Sequence, residues 1–169
     1  MAGNVFGNGY QYYNGKCCVF ISHQQKDKDA ARLIADYLIN CGIDVYFDEY
    51  DLNINRSNPN SVVDAIKAGI NKSTHLMCLL SENALQSKWV PWEVGYGYNH
   101  NVFCVRLKDV AFKMLPEYLQ VVPVYGDCEA LDSKIRNMRI SRNINEGYIR
   151  TYSNFNHPLA SIMYSNINI

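Results

Sequence analysis

The stretch CCVFISHQQKDKDAARLIADYLINCGIDVYFD, residues 17–48, decides the fold because it predicts a strand, a helix and a second strand in succession. CCVFIS is a short β-branched and aromatic run of the kind found in buried strands. Apolar residues then recur at helical spacing, and Gly42 is a natural stop for that helix. DVYFD, residues 44–48, predicts the next strand. Two strands joined through a helix are typical of a parallel pair.

The rest of the chain repeats this alternation of strands and helices. Further strands are predicted over 74–80, 101–107 and 121–126, a connection over 81–86, and further helices from Ser61, over 87–97 and over 129–139. Ser61 and Asp64 resemble a capping box, and Pro123 limits the last strand to a sheet edge. The pattern predicts an α/β, flavodoxin-like fold with a five-stranded parallel sheet and helices on both faces.

The composition favours one packed domain and argues against several classes of partner. The 169 residues are 48 % hydrophobic and 19 % charged, and the formal net charge is zero. Since no lysine or arginine run occurs, neither nucleic acid nor a membrane is an expected partner. The start of the chain lacks the pattern of a signal peptide, and the apolar runs fall short of the ~20 residues that cross a bilayer.

The cysteines and the composition along the chain suggest a location and a domain layout. The six cysteines form no C-x-x-C pair and are expected to be buried, reduced thiols of a cytoplasmic protein. We expect an N-terminal arm over 1–15, one domain over 16–140, and a C-terminal extension over 141–169 packed on or beside that domain.

A candidate site follows from the predicted sheet. Ligands of such sheets bind beyond the carboxyl ends of the strands where the strand order reverses, so the loops after Ser22 and Leu80 should border a cleft. SKWVPWE, residues 87–93, lies just past the second loop and puts Trp89 and Glu93 on one helix face. A carboxylate beside indoles is partly desolvated and suits glycosidic bond cleavage. Core aromatics beside an ordinary surface acid would give the same pattern.

Metal and phosphate sites are not expected. The four histidines, at positions 23, 75, 100 and 157, lie in separate segments of the chain. The glycines at 95 and 97 lack the third glycine of a dinucleotide-binding loop and follow a helix rather than a strand.

Several segments, taken in order, resemble a TIR domain from about residue 16 to about residue 126. VFISHQQKDKDAARLIADYL resembles the first strand, loop and helix of that family, and GIDVYFDEYDL resembles its second strand. NINRSNPNSVVDAI resembles its BB loop, and THLMCLLSENALQSKWVPWE resembles its third strand and its S-x-W-x-x-x-E helix. The resemblance implies the TIR fold and an enzyme that consumes NAD as its substrate, without a metal or a further cofactor.

The resemblance also implies roles for individual residues. Glu93 matches the catalytic glutamate, which stabilises positive charge at the anomeric carbon as nicotinamide leaves. Substrate contacts are expected from Phe20, Ser22, His23, Asp48, Trp89 and Trp92. The loop over 50–60 would gate the site and mediate contacts between TIR copies.

A TIR-like domain without an attached receptor or effector resembles the TIR component of bacterial Thoeris anti-phage defence. That resemblance implies a cyclic ADP-ribose isomer as product, a separate effector that the product activates, and a phage-derived trigger. Cyclisation requires that water be excluded, for which Trp89, Trp92 and Tyr96 are suited. Two alternatives stay open, namely a TIR module that only assembles with other proteins and an enzyme resembling nucleoside deoxyribosyltransferases.

Overall fold

A computed structural model of the protein describes residues 5–6, 17–47, 57–144 and 156–165. Within these residues, six parallel strands form one sheet in the order β1-β3-β2-β4-β5-β6. The strands are β1 (Val5–Phe6), β2 (Cys18–Ser22), β3 (Asp44–Tyr46), β4 (His75–Leu80), β5 (Phe103–Arg106) and β6 (Val124–Tyr125). The helices are α1 (Lys28–Asn40), α2 (Pro59–Lys72), α3 (Glu82–Leu85), α4 (Trp89–Tyr96), α5 (Glu117–Gln120) and α6 (Cys128–Ser141).

The five strands predicted from the sequence are all present. They lie in the order 2-1-3-4-5 among themselves, which confirms the flavodoxin-like α/β fold. The strand that follows Pro123 lies at an edge of the sheet, as predicted. A sixth strand was missed, because β1 falls in the segment expected to be an arm and is only two residues long. Its backbone pairs in parallel with β3 at the opposite edge.

The start of α2 and the presence of α3 differ from the prediction. The predicted start of the second helix at Ser61 is wrong, because α2 begins at Pro59, where proline fits the first turn. Asn58 caps it by accepting a hydrogen bond from the backbone N–H of Asn60 at 3.0 Å. The connection predicted over 81–86 contains the short helix α3. Gly42 follows α1 with φ of 80°, a left-handed conformation suited to glycine, so the predicted stop is confirmed.

Each face of the sheet carries its own layer of helices. α1 and α6 cover one face, where Val19 and Ile21 of β2 are buried. α2, α3, α4 and α5 cover the other face, where Cys18 and Phe20 are buried. Because side chains alternate between faces along a strand, Ser22 belongs to the face of Phe20. The last residue of β2 therefore lies beneath the layer that contains α4.

Residues 156–165 complete the core on the α1 and α6 face. Leu159 and Met163 are fully buried in that cluster. The backbone N–H of Cys128 donates to the carbonyl of Tyr164 at 2.8 Å, which ties this segment to the start of α6. The described part of the chain contains no helix long and apolar enough to cross a membrane. All six cysteines are buried, as predicted.

Candidate active site

Glu93 lies on the side of α4 that faces the sheet. The buried residues of α4 are Val90, Glu93 and Val94, which stand three and four positions apart and form one stripe. The carboxylate thus occupies a position that an apolar residue would ordinarily fill, and only 8 % of Glu93 is exposed. Burial of an unpaired carboxylate is costly, so this position requires polar partners.

Ser22 is one such partner. It is the last residue of β2, and its hydroxyl donates a hydrogen bond to Oε2 of Glu93. Ser22 is in register with Cys78 of β4, so the carboxylate lies at the carboxyl end of β2, beside β4. These two strands flank the point where the strand order reverses. Glu93 is therefore buried where sheets of this kind bind ligands.

The start of α4 is fixed by Ser87. Its hydroxyl oxygen accepts from the backbone N–H groups of Trp89 at 3.0 Å and Val90 at 3.4 Å. It also accepts from Nε2 of Gln24 at 2.7 Å, which joins the loop after β2 to the start of the helix. This link was missed from the sequence, although a serine two residues before a helical tryptophan is a signal for a cap.

Asp27 makes a second link between the loops after β2 and β4. The sequence predicts that Asp27 or Asp29 caps the first helix. Asp27 does occupy the N-cap position of α1, but its side chain makes no capping hydrogen bond. Instead, its carboxylate accepts from the hydroxyl of Ser81 and from Nδ2 of Asn83 at 2.9 Å. The two loops on either side of the switch point are thus joined by side-chain hydrogen bonds, which favour a preformed site.

His23 lies at the same edge of the sheet. Its ring is half-buried and stacks on Phe47, which follows β3, with ring centroids 4.8 Å apart and planes at 11°. Its Nδ1 lies 3.2 Å from the carbonyl of Ile21, and because a carbonyl only accepts, Nδ1 carries a proton in this contact. The stacking and the hydrogen bond fix the plane of the imidazole.

The aromatic residues of α4 form a row along the helix. Trp89 is 41 % exposed and packs edge-to-face against Trp92, with centroids 6.0 Å apart. Trp92 in turn stacks on Tyr96 at 5.4 Å. The contrast between exposed Trp89 and buried Glu93 means that the two residues predicted to share a helix face differ in depth. Trp89 is thus exposed at the surface, whereas Trp92 is partly buried against the core and Glu93 is buried.

Two buried thiols lie beneath the carboxylate. Cys78 is in register with Ser22 on one side and with Cys104 on the other. A hydrogen bond with Cys104, together with burial and the nearby charge of Glu93, raises the pKa of Cys78 well above its ordinary value. The thiol of Cys78 is therefore protonated near neutral pH, and it is the thiolate that acts as a nucleophile.

The remaining predicted site residues lie at different depths or outside the described residues. Phe20 is 3 % exposed and stacks on Tyr46 at 5.4 Å, within the core beneath the α2 layer. Asp48 lies outside the described residues, as does most of the loop predicted over 50–60. Among the described residues, no three His, Cys, Asp or Glu side chains are grouped so that they could hold a metal.

Comparison with known proteins gives a family match and two relatives. The family model described as TIR domain matches residues 19–138. An NAD(+) hydrolase, TcpC, of Escherichia coli O6:H1 is 32 % identical over 85 residues, which is 50 % of this chain and 26 % of that protein. A protein named "Putative cyclic ADP-D-ribose synthase TIR2" of Cytobacillus dafuensis is 26 % identical over 128 residues, 73 % of this chain and 30 % of that protein. The chain thus spans less than a third of the length of either relative.

Proposed function

The chain belongs to the TIR domain family, and on that premise we propose that it cleaves the nicotinamide–ribosyl bond of NAD. The proposal rests on the position of Glu93. Its carboxylate is buried at the switch point of the sheet and accepts a hydrogen bond from Ser22. The relatives, one named "NAD(+) hydrolase TcpC" and one named "Putative cyclic ADP-D-ribose synthase TIR2", support the same substrate.

In the proposed reaction, the bond between the ribose anomeric carbon and the pyridinium nitrogen breaks. The bonding electron pair goes to the nitrogen, so nicotinamide leaves as a neutral molecule and the ribose acquires oxocarbenium character. Glu93 stabilises this positive charge, because a fixed carboxylate in a site of low polarity interacts more strongly than one in water. No proton donor is needed for the departure of nicotinamide.

We assign the other predicted residues to binding and enclosure. His23, Trp89 and Trp92 contact the substrate, and Asp48 keeps its predicted role as a substrate contact. The aromatic surface of Trp89 suits stacking on a planar base, and its edge-to-face contact with Trp92 limits its orientations. Phe20 and Ser22 are each 3 % exposed and support the site from the side of the sheet.

The proposed product is a cyclic ADP-ribose isomer. A hydroxyl or base nitrogen of the same molecule attacks the anomeric carbon and releases a proton, whereas attack by water would give linear ADP-ribose. Exclusion of water by the aromatic row of α4 favours the cyclic product. We place this chemistry in an anti-phage system of the Thoeris type, in which the product activates a separate effector, a phage-derived trigger switches on the enzyme, and TIR copies self-assemble.

The test is incubation of concentrated protein with NAD, with and without lysate from phage-infected cells, followed by mass spectrometry. We expect a cyclic ADP-ribose mass that is lost in Glu93→Gln, because the neutral amide cannot stabilise the positive charge. Glu117→Gln is the matched control, since Glu117 is exposed on α5, and it should keep full turnover. Full turnover by Glu93→Gln would refute the catalytic assignment. Intact NAD under every condition would favour the module that only assembles, and base exchange on deoxynucleosides would favour the transferase alternative.

A further inference from the structure

The contact between Ser22 and Glu93 suggests a role for Ser22 that differs from contacting the substrate. The two side chains are 71 positions apart in sequence, and both are buried. The donor proton of a serine hydroxyl can be given to one acceptor at a time, and here it goes to Oε2 of Glu93. The hydroxyl of Ser22 thus donates to the carboxylate from the sheet side, and this contact does not depend on a ligand.

Ser22 contacts the carboxylate from the sheet side. Ser22 lies in register with Cys78, whose protonated thiol is within hydrogen-bonding reach of both Cys104 and Ser22. The neighbouring side chains of α4 in the buried stripe are Val90 and Val94, which cannot donate hydrogen bonds. Ser22 is thus a strand residue whose hydroxyl is placed to orient the carboxylate.

We propose that Ser22 is a positioning residue, whose hydroxyl fixes the orientation of the Glu93 carboxylate and favours its charged form. The proposal rests on the cleavage of NAD proposed above and deepens it. Burial disfavours the charge of a carboxylate, and a hydrogen bond donated to the charged form offsets that penalty. The charged form is the one required to stabilise an oxocarbenium ion.

A second hydrogen bond supports the same geometry at the helix end. Gln24, two residues beyond Ser22, donates to Ser87 at 2.7 Å, and Ser87 caps the turn that begins α4. The segment that leaves β2 therefore holds α4 at two points, once at the cap and once at Glu93. Together they restrict sliding and rotation of the helix relative to the sheet, which is how a supporting shell keeps a reacting group in place.

The experiment compares Ser22→Ala with Ser22→Thr and with Ser73→Ala. Threonine keeps the hydroxyl donor. Ser73 is a matched control because it is also buried, and its hydroxyl donates to the carbonyl of Gly69 at 2.8 Å, at the amino-terminal end of β4. NAD turnover is measured as kcat and KM from pH 5 to pH 9, and urea unfolding is measured for each variant.

For Ser22→Ala we expect kcat to fall about 10- to 100-fold, the range that corresponds to loss of one hydrogen bond to a charged group. KM should change less than about threefold, since the hydroxyl does not contact the substrate. The acidic limb of the kcat profile should move to higher pH, because the carboxyl becomes easier to protonate. Ser22→Thr should restore most of kcat, and Ser73→Ala should leave kcat and the pH profile unchanged.

The outcomes separate this proposal from the proposed function. If the wild-type protein and Ser73→Ala cleave NAD and Ser22→Ala has the same kcat at every pH, the positioning role of Ser22 is refuted and NAD cleavage stands. If Ser22→Ala changes KM alone, Ser22 contacts the substrate instead. If the wild-type protein does not cleave NAD, both proposals fail. In that case a double-mutant cycle in unfolding free energy, with Ser22→Ala and Glu93→Ala, still measures the contact itself, because alanine offers no acceptor at either position.

Discussion

Replacing Gly69 with alanine is expected to destabilise the protein, although alanine is the better helix former. Gly69 lies within α2, and there the exchange alone would stabilise by about 1 kcal/mol. However, an added Cβ would lie 2.6 Å from Cε2 of Phe20 and 2.6 Å from Cε1 of Tyr46. Ordinary contacts between carbon atoms are about 3.5–4.0 Å, so the overlap is about 1 Å with each ring.

The two rings have little freedom to relieve this overlap. Phe20 and Tyr46 are buried and stacked on one another, with centroids 5.4 Å apart. Overpacking of a core costs about 1–3 kcal/mol, and a clash with both rings of a stack belongs in the upper part of that range. After the gain in helix propensity is subtracted, we expect a loss of about 1–2 kcal/mol, or about 2–8 °C in Tm for a protein of this size.

The assay is urea unfolding followed by circular dichroism, with Gly95→Ala as the matched control. Gly95 lies within α4 and is exposed, and an added Cβ there would have nothing within 4 Å. Gly95→Ala should therefore stabilise by about 0.5–1 kcal/mol, and the two variants should differ in sign. If Gly69→Ala gained as much stability as Gly95→Ala, α2 would be free to move away from the sheet, and the reasoning from rigid packing would be refuted.

Two further predictions concern buried polar groups. Burial lowers the pKa of His75 to about 4, so the unfolded chain takes up the proton first on acidification. The free energy of unfolding should fall by up to about 3 kcal/mol from pH 6.5 to pH 4. Urea unfolding of His75→Gln should show no such dependence on pH. If the free energy of that variant fell as steeply with acidification, His75 would be excluded as the cause. Asp132 accepts from buried Tyr37 and His157, so Asp132→Asn should cost about 2–4 kcal/mol in the same assay. Asp36 is exposed, so the control variant Asp36→Asn should lower the free energy of unfolding by under about 0.5 kcal/mol. If Asp132→Asn lowered it by no more than this control, the buried network would contribute nothing to stability.

The local patterns of the sequence were sufficient for most of the fold. Short apolar runs rich in β-branched and aromatic residues predicted five of the six strands, because strands buried on both faces of a parallel sheet are apolar along their whole length. Boundaries were less well predicted. The start of α2 moved to Pro59 because the side-chain oxygen of Asn58 caps the helix three residues before Ser61, where the capping box was expected. β1 has two residues and lies between Gly- and Asn-rich stretches, so no apolar run in the sequence indicates it.

The sequence by itself also pointed to Glu93 and the tryptophans, through strand order and a family resemblance. Only the tertiary structure decided how deep each side chain lies and which group it meets. Ser22 meets Glu93 across 71 positions, and Asp27 meets Ser81 and Asn83 across 54 and 56 positions. Such contacts depend on how α4 and the loops pack over the sheet, and spacing along the chain carries no information about that packing. For this reason the sequence determined which residues could do the chemistry, and the fold decided that a buried serine holds the carboxylate.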